Sequence, residues 1–88
     1  MRVLEEKWTD GSLEEREVLL RREETPKEIR RAIEVLLDAR MPKEVEVLAY
    51  TWAGEKRVSL RAGGLELGDF DTDTFPEADL LWNAVMQG

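Results

Sequence analysis

The chain contains no cysteine and no histidine. Without thiols there is no disulfide framework, no thiolate metal site and no cysteine nucleophile. Without imidazole the commonest general base, the commonest metal ligand and every serine–histidine arrangement are excluded. No apolar run approaches the roughly 18 to 20 residues that cross a bilayer, so no membrane span is expected. The opening "MRVLEEKW" lacks the basic-then-apolar order of a secretion signal, which makes a cytoplasmic location the expectation.

Bases are missing from one region in particular. Residues 1–61 hold all 13 Lys and Arg against 14 acids, a balance of -1. Residues 62–88 hold the other six acids, Glu66, Asp69, Asp71, Asp73, Glu77 and Asp79, with no base to oppose them. The net charge of -7 therefore resides almost entirely in the last third. Direct nucleic-acid binding is disfavoured, because phosphate neutralisation needs clustered cations.

What is present is a chain of 88 residues, 38% charged and 42% hydrophobic, enough for a single domain (1–88) with its own core. Abundant Arg and Glu with one Asn and one Gln fit a thermostable protein. "RVLEEKW" reads as a strand, and Asp10-Gly11 as the turn of a hairpin. In the return, residues 12–24, helix formers and a Ser12/Glu15 capping box compete with the adjacent Val18, Leu19 and Leu20. Three consecutive apolar residues occupy no single helical face, so strand is preferred over 16–22.

"TPKEIRRAIEVLLDAR" has Ile29, Ala32, Ile33, Leu36 and Leu37 at helical spacing. Thr25 and Glu28 spell a capping box around Pro26, and the helix is expected to stop near Arg40, before Pro42. A three-stranded meander should follow, "EVEVLAYTW", "KRVSLRA" and "LELGDF", joined by turns at Gly54-Glu55 and Gly63-Gly64. Those turns set Trp52 against Arg57, Ala49 against Leu60, Val47 against Ala62, Ala62 against Leu65, Arg61 against Glu66 and Leu60 against Leu67. Thr74 and Glu77 repeat the capping box ahead of a C-terminal helix. The expected fold class is α+β, ordered ββαβββα on a mainly antiparallel sheet.

One sheet face then carries Val45, Val47, Ala49, Val58, Leu60, Ala62, Leu65 and Leu67 and receives the first helix. The other carries Leu48, Tyr50, Trp52, Arg57, Ser59, Arg61 and Glu66, of which Leu48, Tyr50, Trp52, Arg57 and Arg61 are the candidate contact residues. Trp, Tyr and Arg are enriched where proteins bind one another, and a cation–π contact between Trp52 and Arg57 is expected. That face is the candidate interface, most simply with a second copy of the chain, since symmetric self-association is the commonest form of assembly. Alternatively the C-terminal helix lies over Tyr50 and Trp52 and makes a second small core.

In "GDFDTDTF", Asp69, Asp71 and Asp73 alternate as in the opening of a calcium loop, but Thr74 stands where that loop needs Gly and Leu80 where it needs Glu. No metal or cofactor is expected. "AGE" and "AGG" are turn glycines without phosphate-loop spacing. Carboxylate-pair catalysis needs acids fixed across a cleft, which so short a chain does not promise, so no enzyme is expected and no catalytic residue is named. The six acids from Glu66 to Asp79 form the second candidate surface, which would engage a basic protein as an acidic inhibitor or nucleic-acid mimic.

Overall fold

The contest between helix and strand over residues 12–24 is settled by alternation. A computed structural model describes residues 2–9 and 13–87, with side chains for residues 15–87. In it β1 (Arg2–Thr9) pairs antiparallel with β2 (Leu13–Arg21). Val18 and Leu20 point into the core, and Leu19 between them lies on the other face. The period of two thus divides the apolar triplet between the faces of a strand. The Asp10-Gly11 turn lies outside the described residues.

A single 3-10 turn, Arg22–Glu24, leads into α1 (Lys27–Leu37). The expected capping box does not form. The Thr25 hydroxyl donates backward to the Arg21 carbonyl at 2.7 Å, and Pro26 takes the cap position without a side-chain bond. The helix stops at Leu37, three residues before Arg40, because Asp38 adopts the left-handed conformation at φ 53°. The Asp38 and Ala39 amides then turn back to the Val35 and Glu34 carbonyls, a Schellman stop built without glycine. The Glu34 carboxylate accepts the Met41 amide at 2.9 Å, and the Arg22 guanidinium donates to the Met41 carbonyl at 3.0 Å. This seats the fully buried Met41 and starts β3 (Glu44–Trp52) beside β2.

The remaining elements are β4 (Glu55–Ala62), β5 (Leu65–Asp71) and α2 (Pro76–Gln87). The five strands form one antiparallel meander in chain order, so the expected α+β class and the order ββαβββα are observed. Among the described residues no helix is long and apolar enough to cross a membrane.

Two parts of the expected register are corrected. The β3–β4 turn is Ala53-Gly54, with φ of 50° and 81°, one residue earlier than expected. Its two positive φ values match the right-handed twist of a hairpin. Trp52 consequently faces Glu55, Tyr50 faces Arg57, Ala49 faces Val58 and Val47 faces Leu60. A slip of two residues leaves every side chain on its expected face, so the faces are right although the partners are not. After the Gly63-Gly64 turn, Ala62 opposite Leu65 and Arg61 opposite Glu66 match expectation, but a bulge follows and Leu60 meets Gly68, not Leu67.

Val18, Leu20, Val45, Val47, Ala49, Val58 and Leu60 meet Ala32 and Ile33 of α1 and Ala78, Leu81, Trp82 and Val85 of α2 in one core. Both helices therefore cover the same side of the sheet. The Lys56 ammonium, on that side, lies 5.7 Å from the centre of the Trp82 ring, and Arg16 donates to the Met86 carbonyl at 3.3 Å. The alternative of a second core over Tyr50 and Trp52 is excluded. Ala62, Leu65 and Leu67 lie on the apolar face as expected, but the hairpin tip outruns the helices and Leu65 stays exposed.

Candidate protein-binding face

The bulge at Leu67 decides what the uncovered face contains. Without it Asp69 would lie opposite Val58 and point toward the helices. With it, Asp69 pairs with Ser59, and Phe70 pairs with Val58 on the core side. Phe70 folds its ring over Gly68, where an added Cβ would lie 2.5 Å from the ring, and meets Phe75 edge to face at 5.5 Å. One extra residue thus sends an aromatic ring inward and a carboxylate outward, the re-aiming for which bulges are used beside functional sites.

Outward, Asp69 joins Tyr50 and Arg57. The Tyr50 hydroxyl donates to Asp69 Oδ2, and Arg57 Nε donates to Asp69 Oδ1 at 2.8 Å. Arg57 Nη1 also reaches Glu55 Oε2 at 3.1 Å. Partial burial, then the hydrogen bond and negative charge of Asp69, raise the Tyr50 phenol above its ordinary pKa of 10.0, with Arg57 opposing. The hydrogen bond to Asp69, followed by that to Tyr50, raises the Arg57 guanidinium above its ordinary value. At neutral pH Tyr50 is therefore a neutral phenol and Arg57 a guanidinium, both in fixed orientation against Asp69. Below it in the same face, the buried Ser59 hydroxyl donates to Glu66 at 3.1 Å.

Trp52 stands apart from this network at 69% exposure. The expected cation–π pair with Arg57 does not form, because the register gives Trp52 Glu55 as its neighbour and Arg57 is turned toward Asp69. Leu48 and Tyr50 are half-buried and Arg61 is exposed. All five residues of the candidate interface share the face that no helix covers.

The acidic stretch is divided among three tasks. Glu66 and Asp69 belong to the sheet face and are held by Ser59, Tyr50 and Arg57. Asp71 closes the turn into α2: its carboxylate accepts the Asp73 amide at 2.7 Å, the Thr74 amide at 3.2 Å and the Thr74 hydroxyl at 2.6 Å. These bonds, led by the Thr74 hydroxyl, hold its pKa below the ordinary 3.8. The expected Thr74 cap fails as that of Thr25 does: α2 begins at Pro76, one residue later than a cap at Thr74 requires, and the Thr74 hydroxyl is turned to the Asp71 carboxylate. Asp73 and Asp79 are exposed and Glu77 is half-buried at the start of α2, where negative charge opposes the helix dipole. Among the described residues no three acidic groups converge to hold a metal ion.

Ser59 and Glu66 lie on the expected face and bond to each other there, whereas the bulge, the place of Glu55 beside Arg57 and the outward turn of Asp69 were missed by sequence reasoning. The signal for the bulge was Gly68, an isolated glycine inside a strand pattern. A separate open groove at the far end of the sheet is lined by Arg21, Arg22, Lys43 and Glu44, with Arg21 paired to Glu44 at 3.3 Å. Compared with protein-family models, with curated proteins and with solved structures, the chain matches none of them.

Proposed function

We propose that this chain is a non-enzymatic, cytoplasmic protein-binding module that self-associates through the uncovered face of its sheet. The observation that carries this reading is Trp52, 69% exposed on a face that both helices leave open. Beside it Tyr50 and Arg57 are immobilised by Asp69, so little side-chain freedom remains to be lost on docking. Tryptophan, tyrosine and arginine in fixed orientation are the residues that dominate interface energetics. The test compares the wild type with Trp52→Glu by light scattering and thermal melting. The wild type is expected to be a dimer and the variant a monomer of unchanged stability; a wild type that remains a monomer overturns the reading.

A second reading retains the acidic surface as an inhibitor or nucleic-acid mimic for a basic protein. Its support is the exposure of Asp73 and Asp79 in a region without bases. It is weaker than the first because Glu66, Asp69 and Asp71 already have partners within the fold. Reversing Asp73 and Asp79 to Lys leaves self-association intact if the first reading holds, and removes salt-sensitive binding to a basic partner if the second does.

A further inference from the structure

We infer that the uncovered face is self-complementary about a two-fold axis running along β3, so that the β2 flank of one copy docks on the β4 flank of the other. This rests on the self-association proposed above and specifies its geometry. The register places Trp52, Tyr50 and Leu48 down the middle of the face. On one side β2 contributes Glu15 and Glu17, with Glu17 beside Leu48, then Leu19 beside Glu46 and Arg21 beside Glu44, to which it is paired at 3.3 Å. On the other side β4 contributes Arg57 beside Tyr50 and Arg61 beside Glu46.

Sheets that pack face to face keep their strands within about 30° of one another, so an aligned pair has its two-fold either along the strands or across them. An axis along β3 exchanges the flanks. Glu15 then faces the row of Arg57, Glu17 lies between the rows of Arg57 and Arg61, and both contacts occur twice. The central Leu48, Tyr50 and Trp52 meet their own copies. Glu46 and Glu44 also meet their copies, each with an arginine beside it in its own sheet, Arg61 for Glu46 and Arg21 for Glu44.

An axis across the strands keeps each strand over itself and reverses its direction. Arg57 then faces Arg61, Asp71 faces Glu66, and Glu17 and Asp69 each face their own copy. Like charges in contact are strongly unfavourable and are the usual means by which wrong pairings are rejected. The difference between the axes thus lies in Arg57, which meets the row of Glu15 about the axis along β3 and meets Arg61 about the axis across the strands.

Arg61→Glu tests this directly, because Arg61 is exposed and its replacement spares the Tyr50–Asp69–Arg57 network. With the axis along β3 the variant is expected to associate about 10-fold more weakly in sedimentation equilibrium, because Glu46, which meets its own copy, loses the cation beside it and gains a further carboxylate. With the axis across the strands the same carboxylate meets Arg57 and association tightens, which overturns the inference. Glu15→Lys/Glu17→Lys is the reciprocal variant, checked for folding by circular dichroism. It is expected to weaken its own dimer, and its mixture with Arg61→Glu to form a mixed dimer tighter than either variant alone. A mixture no tighter than the separate variants also overturns the axis. If both charge variants dimerise as the wild type does while Trp52→Glu does not, the face is right and the axis is wrong; a monomeric wild type removes the underlying reading instead.

Discussion

The two faces of the sheet are built from the same five strands and use opposite means to become ordered. On the helix side, side chains are held by exclusion of water: Val18, Val45, Val47, Val58 and Leu60 are fully buried against α1 and α2. On the other side they are held by one another, through Tyr50, Arg57 and Asp69 and through Ser59 and Glu66. A solvated face of an antiparallel sheet needs only polar residues. Here it has directed polar bonds and an exposed tryptophan in addition, and that excess is what folding alone does not require.

Substitutions of graded severity separate the faces. On the core side, Ile33→Ala deletes a fully buried side chain of α1 and is expected to cost about 2 to 5 kcal/mol in urea unfolding, a large part of the stability of a domain this small. Gly68→Ala is next. Its new methyl overlaps the Phe70 ring, which must shift from its contact with Phe75, and a loss of about 1 to 3 kcal/mol is expected. If Gly68→Ala melts like the wild type, the bulge does not depend on this close approach.

On the open face the expected pattern is reversed. Trp52→Glu should change the unfolding free energy of the monomer by less than about 0.5 kcal/mol while removing association. Equal loss of stability at Ile33 and Trp52 would erase the distinction between the faces. Of opposite sign to the core substitutions, and smaller than either, is Ala53→Asn. Ala53 holds φ 50° in the turn beside Trp52, a conformation that asparagine tolerates better, so a gain of about 0.5 to 1 kcal/mol is expected in thermal melting.

Titration sharpens the same comparison, because Tyr50 and Arg57 on the open side and Asp71 at the turn that ends β5 depart from their ordinary pKa values. The raised Tyr50 pKa means that its contribution is complete below 10.0 and is lost as pH rises through the higher folded value. The lowered Asp71 pKa means that the turn into α2 is supported above 3.8 and released as pH falls through the lower folded value. Tyr50→Phe is expected to remove the alkaline step from the profile of urea-unfolding free energy against pH and leave the acid one.

The faces were legible in the sequence because alternation needs only the parity of the register. The expected β3–β4 turn was one residue late and shifted the pairing by two, yet Trp52, Tyr50 and Leu48 stayed together. The network around Asp69 was not legible, because it depends on one unpaired residue that reverses parity beyond Leu67. Both threonine caps failed in the same way: each helix begins one residue later than its capping box requires, and the Thr25 and Thr74 hydroxyls are oriented to donate into the turns before them, to the Arg21 carbonyl and the Asp71 carboxylate. Local hydroxyl bonds of this kind compete with capping and depend on turn geometry that spacing does not encode. The stop of α1 at Leu37 rests likewise on Asp38 accepting a left-handed conformation, which Asn and Asp tolerate and which Pro42 could not announce.

The central claim is that the Trp52 face closes against a second copy of the chain. Light scattering of the wild type and of Trp52→Glu, each across a dilution series, tests it most directly. The prediction is a wild-type mass of twice 10.2 kDa that falls toward 10.2 kDa on dilution, and a variant at 10.2 kDa throughout with an unaltered melting curve. A wild type of 10.2 kDa at every concentration, or a Trp52→Glu variant that dimerises as the wild type does, would contradict it.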